Sequence, residues 1–200
     1  MSKFIFITIS IVLVIVILLV VVSFTSKKIE TPSYRLLKKY DDVEIRLYPK
    51  MIVAETRLSD NSFDNQKSIG FRSIANYIFG GNEKNEKIAM TSPVVMNLGD
   101  QPRMCFVMPK QYSKDELPKP ISKNINIVEE AEKTLAVITF GGYSSDKKIE
   151  YYCHQLESSL NKNNIKSIGG YMFMGYNAPW DVVNRRNEVA IEISAINFKR

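Results

Sequence analysis

The order strand, strand, helix, strand, strand occurs twice along this chain, which requires two α+β halves whose helices each cover sheet surface. The turning point of the first copy is the stretch G-G-N-E-K-N-E-K-I-A-M-T-S-P-V-V-M, residues 80–96. Before it, residues 63–79 carry apolar side chains at helical spacing, with Phe71, Ile74, Ala75 and Ile78 on one face. Gly80 and Gly81 end that helix, because glycine enters the left-handed region that closes a last turn without steric penalty. After the polar turn begun by Asn82, the residues Ile88, Met90, Val94 and Met96 fall at even spacing. They read as a strand with one buried face, broken at Ser92-Pro93. Proline cannot donate to a ladder, so Pro93 predicts a sheet edge or a bulge. Setting Pro93 against Pro179, about 86 residues on, aligns a looser second copy, residues 175–193. This stretch also follows a helix and ends in an alternating strand through Val189, Ile191 and Ile193.

The remaining elements complete both copies. Residues 34–40 and 43–48 read as paired strands around Asp41-Asp42, the second alternating Val43, Ile45 and Leu47 inward with Glu44 and Arg46 outward. Residues 51–58 form a further strand, and the polar stretch 59–62 caps the first helix. Residues 103–108 alternate again, with Met104, Phe106 and Met108 on one face. A proline-bounded loop, 109–120, separates halves at about 33–109 and 121–196. In the second half residues 125–128, 135–140, 171–176 and 189–193 read as strands, and 146–160 as a helix burying Ile149, Cys153, Leu156 and Leu160. The predicted fold is α+β, two pseudo-symmetric halves forming a distorted antiparallel barrel or open sheet with two helices outside. No Gly/Ser linker divides the halves, so residues 29–200 are expected to form one domain.

Residues 1–28 are different in kind. Residues 4–24 make an uncharged run whose polar side chains are Thr8, Ser10 and Ser23. At about 1.5 Å per residue the run reaches about 30 Å, the thickness of a hydrocarbon core, and predicts one transmembrane helix. A cleaved signal peptide is the competing reading, with Val21-Val22-Ser23 as a tolerable cleavage site. Signal cores usually run about 7–15 residues, however, and the basic region here is Lys3 and the amino terminus. Lys27, Lys28, Arg35, Lys38 and Lys39 on the far side outweigh Lys3 on the near side, which favours the cytoplasmic face for the domain that follows in a single-pass protein.

The charge pattern argues against a nucleic-acid surface. A net charge of +6 comes from 27 basic and 21 acidic residues spread along the chain, without basic clusters. Cys105 and Cys153 show no C-x-x-C or metal-ligand spacing and read as small buried hydrophobes. The chain also lacks a G-x-S-x-G elbow, a phosphate-cradling glycine loop and H-E-x-x-H, so no catalytic residue and no metal site are predicted. The single histidine, His154, lies about 140° around its helix from Ile149, beside Glu150 and Glu157, on the solvated side. Trp180, the single tryptophan, follows a proline in a loop, a place that favours a binding edge.

Several motifs occur together in a fixed order: G-x-N-E at 80–83, K-I-x-M-T-x-P-V at 87–94, F-G-G-Y at 140–143, G-Y-N-x-P at 175–179 and R-R-N-E-V at 185–189. In this combination, from about residue 30 to 194, the chain resembles the SOUL family of haem-binding proteins. The resemblance implies the two-half fold and a hydrophobic groove for haem beside the first helix. Matching positions are Phe71, Ala75 and Ile78 on that helix and Tyr176, Pro179 and Trp180 on the loop before R-R-N-E-V, with Arg72, Arg185 and Arg186 near enough in sequence to meet propionates. Asn76 stands where some relatives carry a basic residue, and no counterpart of a histidine ligand is found.

The expected function is therefore that of a membrane-anchored, non-catalytic binding protein for haem or another tetrapyrrole, held without strong axial ligation and buffered or carried. Its partners would be that ligand and the bilayer, with a protein partner left open. The alternative is a module whose groove takes another apolar small molecule or a partner's amphipathic helix.

Overall fold

A computed structural model describes residues 4–14 and 29–194. Residues 4–14 are helical (α1). The domain that follows runs β1 (Arg35–Tyr40), β2 (Val43–Tyr48), β3 (Met51–Arg57), α2 (Phe63–Ile78), β4 (Val94–Asn97) and β5 (Arg103–Val107). It continues through β6 (Ile125–Glu130), β7 (Lys133–Gly141), α3 (Asp146–Lys162), β8 (Ser167–Gly175) and β9 (Arg186–Ile193). All nine strands join one antiparallel sheet in the order β1-β2-β7-β9-β8-β4-β5-β3-β6. The sheet is open, with β1 and β6 at its edges, and it is this form rather than a closed barrel that the two halves adopt.

Strand order exposes how the halves join. Omitting β1, the order reads the same from either end if β2 matches β6, β7 matches β3, β9 matches β5 and β8 matches β4. The pseudo-twofold thus passes between β8 and β4. The first strand of each half does not stay with its own half: β2 pairs with β7 and β6 pairs with β3. Neither half could be cut out without taking a strand from the other, which is why the domain has no internal linker.

Both helices cover the same face. α2 packs against β3, β5 and β6, and α3 against β7, β8 and β9. Ile74, Tyr77 and Ile78 from α2 and Ile149, Leu156 and Leu160 from α3 meet Phe106, Ile138, Phe173 and Val189 from the sheet in one core. The helix N-termini also meet. Asp146 accepts hydrogen bonds from the Ser62 hydroxyl (2.8 Å) and the Phe63 N–H (2.6 Å), while the Asp146 N–H donates to Asp64 at 3.2 Å. Two positive helix ends brought together need carboxylates between them, and each helix contributes one. Ser62 is the N-cap of α2, as the polar stretch before it predicts, with its side chain accepting from the Asn65 N–H.

At the other end of α2 the turn is built as the glycines require. Gly80 has φ +115°, and a Cβ on Gly81 would lie 2.6 Å from the Asn76 carbonyl oxygen. Asn82, buried, then donates to the carbonyls of Tyr77 and Glu86 and accepts from the Glu86 N–H, which fixes the loop.

Pro93 behaves differently from the expectation. The Ser92-Pro93 peptide is cis, and the strand begins only at Val94. β4 lies at the centre of the sheet, paired to β5 and β8, not at an edge. Standing just before the first ladder residue, Pro93 withholds no hydrogen bond that the ladder uses. Residues 88–91, expected in the same strand, carry only an isolated bridge from Thr91 to Glu30.

Arg46 also departs from the expectation. Alternation puts it outward, away from the helices, yet it is 2% exposed. On this helix-free face it faces Glu188 of β9, which is 0% exposed, and one Arg46 Nη1 donates to both Glu188 oxygens at 3.0 Å. Glu188 also accepts from Tyr176 (2.7 Å), Thr139 (3.1 Å) and Arg186 (2.6 Å), and Arg46 donates to Glu44 at 2.8 Å. Every lone pair of the buried carboxylate is thereby engaged, the condition under which a buried charge is tolerated. Removing one partner strands the other. Arg46→Ala and Glu188→Ala should each lower the unfolding free energy by about 3–5 kcal/mol, read as a fall in the urea midpoint at constant slope. A loss below about 1 kcal/mol, typical of an exposed pair, would contradict the assignment.

Candidate functional site

The residues expected to line a groove beside the first helix are distributed over both faces of the sheet. Ala75 and Ile78 sit beneath α2, 8% and 0% exposed, and belong to the core. Phe71 is half-buried with its ring 5.4 Å from that of Phe106, and Arg72 is exposed, its Nε donating to the Ser68 carbonyl. Tyr176 is on the opposite face, packed with Met172, Met174 and Ala190 and bonded to Glu188. Arg186 lies over the Tyr176 ring at 4.3 Å and pairs with Glu188.

The loop residues form a separate group. Arg185 donates to the carbonyls of Ala178 and Asp181 and stacks on Tyr143 at 4.3 Å, and the Tyr143 hydroxyl donates to the Pro179 carbonyl. Trp180 is 56% exposed. Among the described residues no hydrogen bond, ion pair or ring contact joins Tyr176, Pro179, Trp180, Arg185 or Arg186 to Phe71, Arg72, Ala75 or Ile78. The expected residues thus fall in three groups: a helix surface largely closed by its own packing, Tyr176 with Arg186 on the helix-free face, and a loop held by Arg185.

The sequence pattern did not indicate the cavity that the fold does contain. Residues 30–33 cross the ends of β3 and β5, pinned where the Ser92 N–H donates to the Glu30 carbonyl (2.8 Å) and the Lys110 N–H to the Glu30 carboxylate (3.0 Å). The Tyr34 ring then lies tilted against that of Tyr48, centroids 5.3 Å apart, with the Arg46 guanidinium 4.3 Å over it. Beneath this segment lies a cavity of about 280 Å³, bounded by Pro32, Met51, Ile52, Val107 and Met108, with Lys50 and Lys110 at its rim. Pro32, Met51 and Val107 also border a second depression on the helix-free face, over Val95, Leu135, Met172 and Met174. The two hollows share these three walls, and methionine recurs in their linings, Met51 and Met108 in the first and Met51, Met172 and Met174 in the second, a residue that adapts to irregular ligands. The only available signal was the alternation of Met172 and Met174, which marks a second apolar face without saying what covers it.

The chemistry open to these surfaces is limited. Burial, with Glu130 nearby, pushes the Cys105 thiol up to about 12, and burial with Glu150 pushes Cys153 up to about 11. Neither is a thiolate near neutral pH, so neither offers a strong nucleophile or iron ligand. His154 is 71% exposed, 3.9 Å from Glu157, on the side of α3 to which helical counting assigns it. Among the described residues no cluster of three or more His, Cys, Asp or Glu side chains could hold a metal ion. Haem could therefore be met by thioethers and apolar contact, with lysine for its carboxylates, and this donor set fits a loosely ligated group.

A model of the SOUL heme-binding proteins matches residues 29–192. The chain belongs to the SOUL family. Heme-binding protein 2 of Homo sapiens is 29% identical over 82% of this chain and 86% of its own, and heme-binding protein 1 of Xenopus laevis is 30% identical over 67% and 74%. Among solved structures, the C-terminal domain of EcmrR superposes with a TM-score of 0.60 at 12% identity, covering 80% of this chain and 98% of that one, a likeness of fold. The SOUL motifs now have physical roles. Asn82 ties the loop after α2, the Thr91 hydroxyl donates to the Val107 carbonyl, Asn187 donates to the Gly142 carbonyl and Glu188 holds Arg46. They specify the scaffold, and they leave the ligand to the residues between them.

Alkylation tests the thiol environment. At pH 8 both cysteines of the native protein should react with iodoacetamide far more slowly than a free thiol, Cys153 before Cys105, and both should react fully in urea. Rapid native labelling of Cys105 would contradict its burial.

Proposed function

We propose that this SOUL protein is a non-catalytic haem-binding protein, tethered to a bilayer by residues 4–24 and holding its tetrapyrrole by apolar contact. The observation that carries the reading is the family match across residues 29–192, together with relatives named for haem binding. Haem supplies the iron and the visible absorption; the chain supplies apolar surface and carboxylate partners. Several hundred Å² of contact at about 25 cal/mol per Å², less ordering costs, suffices for low-micromolar affinity. A group held this way leaves readily, which suits buffering or delivery and does not suit electron transfer or oxygen activation.

The membrane reading is supported by α1, whose apolar side chains, Phe4 and Phe6 among them, stand exposed. Among the described residues no helix is long and apolar enough to cross a membrane, and residues 15–24 of the proposed span lie outside them. The basic excess after the run, Lys27, Lys28, Arg35, Lys38 and Lys39, assigns the domain to the cytoplasmic face.

Titrating hemin into the full chain should give a broad, modestly shifted Soret band with low-micromolar affinity, unchanged within about twofold in His154→Ala. A sharp six-coordinate spectrum lost in His154→Ala would overturn the loose ligation. No Soret change at all would overturn the haem assignment. Full-length protein expressed in cells should also stay with membranes through carbonate washing; recovery in the supernatant with its N-terminus near Phe24 would show a removed signal instead.

A further inference from the structure

We propose that the cavity beneath residues 30–33 is a binding site in its own right, for a zwitterion of dipeptide size with an apolar side chain. The site stands apart from the haem reading, since about 280 Å³ is too small for a tetrapyrrole. It also does not depend on how the domain meets a membrane.

The charges at the rim select the class of ligand. Glu30 and Lys110 stand on the β5 side, and Lys50 and Glu129 on the side of β3 and β6. An anion that approaches either lysine also meets a carboxylate, and a cation meets the reverse, so neither sign is favoured alone. A net-neutral molecule with separated charges is complementary to all four groups. Each has bonding capacity to spare. Glu30 Oε1 accepts the Lys110 N–H at 3.0 Å, and a carboxylate has room for about four such bonds. Lys110 Nζ, 3.2 Å from the Ser33 hydroxyl, has further donors to give. Lys50 pairs with Glu129, but their side chains are 66% and 35% exposed, and a pair so exposed opens at little cost.

Volume and spacing set the length. The cavity holds the equivalent of about nine waters, room for a ligand of roughly ten to fifteen non-hydrogen atoms. Glu129 lies opposite Ile52, and the Met108 N–H donates to the Ile52 carbonyl, so three neighbouring chain segments carry the floor. At about 4.8 Å between strands, the two charged sides are about 10 Å apart. A dipeptide, at most about 3.6 Å per residue, holds its termini about 7 Å apart, and long rim side chains close the remainder. A free amino acid carries both charges on one carbon and spans only one side. Below the rim Met51, Ile52, Val107 and Met108 offer apolar surface. The two hydroxyls in the lining are committed elsewhere, Thr91 donating to the Val107 carbonyl and Tyr112 to Glu86. The part of the ligand that enters the cavity is therefore aliphatic.

The test titrates L-alanyl-L-leucine into the isotopically labelled full chain in detergent micelles and follows the amide signals of Ser33, Ile52 and Lys110. The expected dissociation constant is about 1 mM, an ordinary efficiency for a ligand of this size. The N-acetyl dipeptide, which lacks the cation, and the dipeptide amide, which lacks the anion, should each bind at least about tenfold more weakly. Val107→Trp fills the cavity and should abolish binding. The double variant Glu30→Gln, Lys110→Gln removes the charges on one side without touching the core, should keep the parent melting temperature, and should lose at least about tenfold in affinity. If Val107→Trp does not fold, this rim variant decides. No shift of the three amides at about 10 mM dipeptide, or parent affinity in the rim variant, overturns the site. Equal binding of either blocked dipeptide overturns the demand for both charges, and equal binding of free L-leucine overturns the length.

Discussion

The fold depends on one buried ion pair. Arg46 and Glu188 lie on strands that begin in different halves, β2 and β9, and meet on the face that no helix covers. Two charges removed from water lose several kcal/mol each in solvation, and the arrangement survives because Tyr176, Thr139, Arg186 and Glu44 complete the coordination. A network satisfied at every atom tolerates one geometry only. It therefore fixes the register in which β2 leaves its own half and pairs with β7, and through that exchange it holds the halves as one body. Burial against Glu188 also drives the Tyr176 hydroxyl far above its ordinary range, so this donor stays protonated wherever the protein is folded.

The pseudo-twofold makes the two halves equivalent in backbone and leaves them different in use. On the helix-covered face both halves contribute alike to a single core, down to the paired carboxylates between the helix ends. On the other face they diverge. The end formed by β2, β7 and β9 is filled by the charged network, whereas the end formed by β3 and β5 carries methionine and valine under a crossing segment and retains a cavity.

Local periodicity made much of this legible. Both helices, the cap of the first, the glycine turn and most strands follow from spacing and turn chemistry, because burying one face is a local demand. What spacing could not carry was pairing. Nothing in residues 43–48 names β7 as their partner, so the exchanged strands appear only in the sheet order. The same limit explains Arg46, since alternation tells which residues leave the helix-covered face and assumes that the other face is wet. β8 extends four residues further toward its N-terminus than alternation from Tyr171 indicates, because Gly169 and Gly170 interrupt its first half, where the register with β9 shifts. The expected haem surface groups residues that adjoin in motif order but include members on opposite sides of the sheet, and the cavity beneath residues 30–33 leaves no trace in spacing because that segment has no periodicity from which to read a wall.

A double-mutant cycle on Arg46 and Glu188, read by urea unfolding, tests the buried pair most directly. Arg46→Met and Glu188→Leu should each destabilise the domain, and the double variant should lose less than the sum of the two by about 1–3 kcal/mol. Strict additivity of the two losses would contradict the account.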